Sequence, residues 1–197
     1  VGKPVEQQRF EYRVTSVQWG DDGLALVTES WATTRTVRTW RVSPGRPGGP
    51  RTLLFERKSE DRYHDPGRAA TVRNALGRLV IARSGDGEKI FLSGAGASPD
   101  GDRPFLDEFD LAQRQAHRRW RSTPPHYEEF VAFIDASLTR ALVTRESPTE
   151  PPNFFIRDYA RDEVRALTAF TNPYPQFNDV RPAVLRYRRA DGVALSG

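Results

Sequence analysis

Ala25-Leu26-Val27-Thr28-Glu29-Ser30 returns near the other end of the chain as Ala141-Leu142-Val143-Thr144-Arg145-Glu146-Ser147. Two such similar strings so far apart mark an internal repeat, and a repeat constrains the whole architecture. Each copy sits in the same local grammar. Gln18 to Gly20 leads through the turn Asp21-Asp22-Gly23 into Leu24 to Val27. Phe130 to Ile134 leads through residues 135–139 into Ala141 to Val143. A third copy runs from Leu79-Val80-Ile81-Ala82 through Ser84-Gly85-Asp86-Gly87 into Ile90-Phe91-Leu92. Apolar runs separated by Asp/Gly turns are the signature of strand, tight turn, strand.

Each unit continues through a polar loop into a third strand, at Thr36 to Val42, Pro104 to Leu111 and Asn153 to Tyr159. A fourth follows at Arg51 to Phe55, Gln115 to Arg121 and Glu163 to Leu167. The equivalent residues Leu26, Leu92 and Leu142 lie 66 and 50 residues apart. Four strands per unit at such spacing describe a β-propeller blade. A β-sandwich also spaces short strands with turns, but it gives no reason for the repeated string. The expected fold class is therefore all-β, with about three blades of four antiparallel strands, a partial propeller. Residues 106–121 fit an amphipathic helix in part, but alternation places Phe105, Asp107 and Phe109 on one face, and strand, turn, strand is the reading. Residues 128–133 carry the same ambiguity. The loops at 30–35, 94–103 and 145–153 each join second and third strands and are expected to be equivalent.

The chain has 197 residues, 37% of them hydrophobic, and no apolar run approaches the ~18 residues a membrane helix requires. No membrane partner is expected. It begins at Val1 and contains no Met, the mark of a processed or excised piece, so the lack of a leader says nothing about compartment. With no Cys, disulfide and thiolate chemistry are excluded. The net charge of +4 comes from scattered arginines interleaved with acids, with only Lys3, Lys58 and Lys89 as lysines. The densest run, Arg118, Arg119 and Arg121, is short, and no nucleic-acid surface follows. Trp19, Trp31, Trp40 and Trp120 read as packing between blades rather than as a stacking platform.

Catalytic and metal motifs are missing. No Ser stands in a G-x-S-x-G frame. Gly94-Ala95-Gly96-Ala97-Ser98 has its glycines misplaced for that elbow and lacks the third glycine of a dinucleotide fingerprint. His64, His117 and His126 form no pair with metal-ligand spacing. The expectation is no catalytic residue, no metal and no cofactor. Three stiff, Pro-containing loops remain: residues 61–67 (DRYHDPG), residues 145–153 (RESPTEPPN) and residues 172–176 (NPYPQ). Rigid polar loops on a β scaffold are where binding residues gather, but Pro also ends strands and protects edges. Both readings stand for these loops.

The strings DRYHDPG (61–67), GAGASPDGDRPFLDEFD (94–110) and RESPTEPPNFF (145–155), in this order, resemble the propeller of the prolyl oligopeptidase family of serine peptidases. More narrowly, they resemble its glutamyl endopeptidase branch. The resemblance is good over residues 50–197 and loose over the first blade. The tail LRYRRADGVAL (185–195) is similar to the family's crossover strand, where the chain leaves the propeller for an α/β-hydrolase domain. The resemblance implies a partial propeller over residues 1–183 and a crossover strand over residues 184–197. It implies a non-catalytic piece that gates and partly lines the substrate cleft of a parent peptidase. Its partners would be the missing hydrolase domain, the remaining blades and a peptide substrate. No position matches the family's catalytic triad. An acidic-site peptidase must offset the desolvation of a carboxylate, which fixed cations do best. Arg62, His64 and Arg145 are the substrate-binding candidates. In the competing reading Arg62 pairs with Asp61 or Asp65 and Arg145 with Glu146 or Glu150, only to hold the loops. An open arc also leaves two blade faces uncovered, so self-association is expected. A stand-alone interaction scaffold is the alternative function.

Overall fold

The computed structural model describes residues 3–177, 179, 180 and 183–197. Val1, Gly2, Asn178, Arg181 and Pro182, all within the span assigned to the propeller, lie outside the described residues. Three four-stranded antiparallel sheets follow one another along the chain. The first comprises β1 (Arg13–Asp21), β2 (Leu24–Trp31), β3 (Thr36–Val42) and β4 (Thr52–Lys58), paired in chain order. The second is built from β5 (Arg68–Ala69), then, past an inserted hairpin of β6 (Thr71–Arg73) and β7 (Leu79–Ile81), from β8 (Lys89–Gly94), β9 (Phe105–Asp110) and β10 (Gln115–Arg121). The third comprises β11 (Tyr127–Phe133), β12 (Arg140–Ser147), β13 (Glu150–Asp158) and β14 (Glu163–Ala166). Each sheet is a meander, and the three are consecutive blades of a β-propeller. Residues 106–121 are two strands and a turn, and residues 128–133 are strand.

One strand differs from the sequence reading. Leu79–Ile81 is not the first strand of blade 2, because it pairs with Thr71–Arg73. The first strand is split. Arg68 and Ala69 pair with Ser93 and Leu92. The Ala70 amide then donates to Phe91 O, and the Ala82 amide returns to Ala70 O, both at 2.8 Å. Arg83 resumes the ladder opposite Ile90. The chain thus leaves the first strand at residue 70 and rejoins it at residue 82. This insertion explains why the step from blade 1 to blade 2 is longer than the next. Alternation failed here because β7 is itself a half-buried strand, with Ile81 buried and Val80 half-buried on the other face.

The β3–β4 type of connection is a second repeat that the first string does not contain. In blade 2 the Asp110 carboxylate accepts the amides of Ala112 and Gln113. In blade 3 Asp158 does the same for Ala160 and Arg161. Arg114 and Asp162 then adopt positive φ values of 56° and 53° to complete the turn. The side-chain oxygen satisfies two backbone donors that the tight turn would otherwise leave open.

The core lies between blades. Leu24 and Leu26 of blade 1 meet Ile81, Ile90, Leu92, Phe109 and Leu111 of blade 2, with Phe55 packed alongside. Phe91 and Leu106 of blade 2 meet Phe133, Leu138, Ala141 and Val143 of blade 3, with Trp120 and Tyr159 packed alongside. Opposite faces of one strand therefore serve opposite interfaces, as the period of two requires. Only Trp120 of the four tryptophans packs between blades. Trp40 lies with Ala25, Val27 and Val42 on the face of blade 1 turned away from blade 2, with Phe10 alongside. Trp19 and Trp31 are about half exposed. Residues 184–197, expected as one crossover strand, form a hairpin of β15 (Arg186–Arg188) and β16 (Ala194–Ser196).

Candidate functional site at the loop end of the blades

In a four-stranded meander, the loop between second and third strands and the link from the fourth strand to the next blade emerge at the same end. The β2–β3, β8–β9 and β12–β13 connections are therefore equivalent, as expected, and the 59–67 and 122–126 links join them there; the third is only residues 148–149, because the rest of the expected 145–153 loop is paired into β12 and β13. Hydrogen bonds tie this end together. Ser59 N–H donates to Arg35 O at 2.7 Å, and Arg35 pairs with Glu60 at 2.7 Å. Ser122 N–H donates to Pro104 O at 2.7 Å, Arg103 Nε to Ser122 O at 3.2 Å, and Arg121 Nη2 to Gly96 O at 3.3 Å. The terminal hairpin also reaches this end, where Arg186 Nη2 donates to Pro99 O at 3.4 Å.

The 61–67 loop is held from within. Asp65 accepts Arg57 Nη2 at 2.7 Å and the Gly67 amide at 3.0 Å. Gly67 has φ +78°, and a Cβ there would stand 2.2 Å from Ser93 O, so no other residue fits. Asp61 accepts from the His64 ring at 2.8 Å and from the His64 amide at 3.2 Å. These bonds hold the Asp61 carboxyl below its usual range. Arg62 takes neither Asp61 nor Asp65. Its Nη2 crosses to Asp102 on the β8–β9 loop at 2.8 Å, and its side chain stays 66% exposed. His64 is also largely exposed.

Arg145 takes neither Glu146 nor Glu150. Its Nη2 approaches His126 Nδ1 at 2.9 Å, and its guanidinium lies 5.4 Å from the centre of the Phe155 ring. Glu150 stands 3.7 Å from His126 Nε2. Neither arginine takes the neighbours that the loop-holding reading offered, because each reaches across to another segment. The third stiff loop, residues 172–176, runs into a short 3₁₀ turn over Pro175–Phe177 with Tyr174 exposed.

Two residues missed in the sequence shape this end. Burial, with Glu129, Asp102 and Glu146 adding negative potential, pushes the Tyr127 phenol up to about 12. Those carboxylates bring the Arg62–Asp102 and Arg145–Glu146 segments to bear on the same phenol. Asn153 is buried and closes the segment after β14: its Oδ1 accepts Thr168 Oγ1 and the Phe170 amide, both at 2.7 Å. A single Tyr or Asn within an alternating strand carries no sequence signal for either role.

Arg62 presents an exposed guanidinium on a rigid loop, a group suited to pairing with an anion, whereas Arg145 lies within β12 and is half-buried. The site holds no nucleophile–base pair among the described residues: the His64 ring meets Asp61, the His126 ring meets Arg145, and neither meets a hydroxyl. Among the described residues no group of three or more His, Asp or Glu is placed to hold a metal ion. None of their helices is long and apolar enough to cross a membrane.

No family model matches the chain. Two plant proteins, both named "Probable glutamyl endopeptidase, chloroplastic", match it along 98% of its length. The Oryza sativa subsp. japonica protein is 35% identical over 206 residues and the Arabidopsis thaliana protein 36% identical over 207. The chain spans 22% of the length of these curated relatives. Among solved structures, puromycin hydrolase overlaps 93% of this chain and 33% of its own, at 15% identity and a TM-score of 0.48. The β-propeller domain of the Trilobed protease from Pyrococcus furiosus overlaps 84% of this chain and 45% of its own, at 12% identity and a TM-score of 0.39. Overlaps this loose add no argument of their own. Over nearly its whole length this chain is homologous to a segment of the glutamyl endopeptidases, the branch of the prolyl oligopeptidase family that its loop strings resemble.

Proposed function

We propose that this chain is a non-catalytic arc of the propeller in a serine peptidase of the glutamyl endopeptidase type, where it gates and partly lines the substrate cleft. The observation that carries the reading is the coincidence of homology and geometry. The chain matches glutamyl endopeptidases along 98% of its length. Its candidate cations also share one end of the blades with the 184–197 hairpin, which touches the β8–β9 loop through Arg186. In this reading the hairpin leads towards the hydrolase domain, and the loop end faces the cleft. The remaining blades cover the apolar side chains left open on blades 1 and 3, such as Trp19 and Phe154.

Arg62 and Arg145 then meet the acidic side chain of the peptide. Arg62 is the more available, since its own side chain is largely exposed beside a half-buried Asp102. In the full-length enzyme, Arg62→Ala or Arg145→Ala should depress kcat/KM for acidic-site peptides far more than for neutral ones. A charged hydrogen bond contributes ~1.5–3 kcal/mol, roughly ten- to a hundredfold in rate. Equal slowing of both substrates, or no change in either, makes these residues loop supports and moves specificity elsewhere.

A further inference from the structure

Phe10 lies ahead of the first blade but packs as a fourth-strand residue does. In both interfaces between blades, an aromatic side chain of a fourth strand packs against the next core: Phe55 of β4 towards blade 2 and Trp120 of β10 towards blade 3. On the far face of blade 1, Phe10 packs against Ala25, Val27 and Val42 in the same way. The charges match as well. Arg157 of blade 3 lies 5.2 Å from the centre of a Trp120 ring, and Arg51 of blade 1 lies 5.0 Å from that of Phe10. Blade 3 buries Glu128 beside its arginine. Blade 1 buries Glu29, which shares a face with Ala25 and Val27. Glu29 accepts Trp40 Nε1 at 2.8 Å and the Tyr12 amide at 2.6 Å, so it fixes the corner between residue 10 and β1. The dipeptide Phe10-Glu11 also matches Phe55-Glu56 of β4.

Residues 5–10 have the geometry of a strand with one edge free. Gln8 and Phe10 are half-buried while Gln7 and Arg9 are exposed, the alternation of a strand lying on a surface. Gly48 N–H donates to Gln7 O at 2.7 Å, and Arg51 Nη1 donates to Arg9 O. Both carbonyls therefore point to the β3–β4 connection. In a strand the amide and carbonyl of one residue point to one edge, and those of the next residue to the other. Glu6, Gln8 and Phe10 direct theirs to the opposite edge, where their backbone groups make no hydrogen bond among the described residues. An apolar groove of ≈ 220 Å³ adjoins this segment, lined by Gln8 and Phe10, by Val17 and Trp19 of β1, and by Ala25 and Val27 of β2. Trp19 and Val17 are exposed in it. Free backbone groups in a row beside an apolar trough form a template for strand addition.

We propose that residues 5–10 are the fourth strand of a blade preceding blade 1, and that their Glu6–Gln8–Phe10 edge docks the third strand of that blade, antiparallel, with apolar side chains turned into the groove. The inference rests on the reading above that this arc belongs to a longer propeller, and it names the edge at which the arc continues. The chain spans 22% of the length of its plant relatives, so a parent of that size has the residues to supply the strand. Third and fourth strands are joined by short turns, as β9 and β10 are over residues 111–114. The docking strand therefore comes from the same polypeptide. Its inward side chains would cover Val17 and Trp19, which residues 5–10 leave open.

The test measures backbone hydrogen exchange in the full-length protein, by mass spectrometry with residue-level fragmentation. The amides of Glu6, Gln8 and Phe10 should exchange roughly a hundredfold more slowly than those of Val5, Gln7 and Arg9. Fast exchange at every one of these positions means that no strand docks, and overturns the proposal. Equal protection at every one means that strands pair on both edges, and overturns the placement as a fourth strand. Proline supplies a second readout, because a sheet accepts it on an edge strand only where its N–H would face outward. Gln8→Pro should abolish the protection of Glu6 and Phe10, whereas Arg9→Pro should keep that of Glu6 and Gln8. Gln8→Ala removes only the side-chain bond to Gly49 O and should retain the parent's pattern. Equal loss in the two proline variants rejects the proposed edge. Neither readout uses peptide cleavage. Alternating protection in a protein that cleaves no peptide rejects the peptidase reading and keeps the docked strand. Cleavage accompanied by fast exchange throughout residues 5–10 does the reverse.

Discussion

The two interfaces between blades are built from the same strand grammar but hold together differently. Between blades 1 and 2 the contact is a run of aliphatic side chains closed by Phe55 and Phe109, whose rings lie 4.8 Å apart. Between blades 2 and 3 the apolar layer is thinner in aliphatics and rich in rings. Phe91 meets Phe133 edge-on at 5.0 Å, and Phe133 meets Phe130 at 4.9 Å. Beside these rings lies a buried ion pair. Arg157 of β13 reaches Glu128 of β11 with two nitrogens, the second at 3.0 Å, and stacks 5.2 Å from Trp120 of blade 2. Burial lowers the arginine's proton affinity, and the bonds to Glu128 more than restore it. The same burial, with Glu128 nearby, pushes the Tyr159 phenol up. One interface thus relies on removing hydrocarbon from water. The other adds a charge pair whose desolvation has to be matched atom for atom.

The sharpest way to break this contrast is to remove one half of the pair. Glu128→Ala should destabilise the fold by ~3–5 kcal/mol, because Arg157 is left buried with its main partner gone. Denaturant midpoints measure it, and the double variant Glu128→Leu with Arg157→Met should recover most of the loss. A small effect of the single change would mean that Arg157 swings out to Asp162, which it already touches at 3.1 Å. The aliphatic interface should respond to volume instead. Ile90→Ala, at a fully buried site, should cost ~2–4 kcal/mol. The loss there should be the same at low and high salt.

The contrast also explains what was legible in the sequence. Alternation reports which residues are apolar at every second position, and both cores follow from it. The repeated ALVT string located the second strands of blades 1 and 3, and the blade assignment rested on those anchors. Alternation cannot say which strand a half-buried segment pairs with, and so Leu79–Ile81 was placed in the wrong sheet. Nor can it identify a partner two strands away. Glu128 and Arg157 are separated in the sheet by β12, and they read as ordinary charges within their strands. At the loop end Arg62 and His64 stood out as loop residues and lie in the 59–67 link, whereas Arg145, read as a loop residue, lies in β12; the partners of the two arginines, Asp102 and His126, come from other segments. Those contacts exist only once the meander has brought equivalent loops to one end.

The smallest expected effect concerns the turn between the first two strands of a blade. In blade 1 the turn residue Asp21 is paired with Arg83 of blade 2, so its charge serves the interface. In blade 3 the equivalent turn uses Asp135 locally. Burial alone would raise the Asp135 carboxyl, but Arg140 and Thr139 outweigh it through side-chain and backbone hydrogen bonds and hold it at about 2. Its ordinary value is 3.8. A folded-state value below the unfolded one contributes stability that is fully present above about pH 4 and is lost as the pH falls through about 2. Asp135→Asn should therefore lower stability by on the order of 1 kcal/mol at neutral pH, allowing for solvent screening, and by little near pH 2. The difference between parent and variant, followed by denaturant unfolding from pH 6 to pH 2, should shrink across that window. A difference constant with pH would show that the turn depends on the hydrogen-bonding shape of Asp135 and not on its charge. Asp21 would then be the charged member of the two turns, acting across blades.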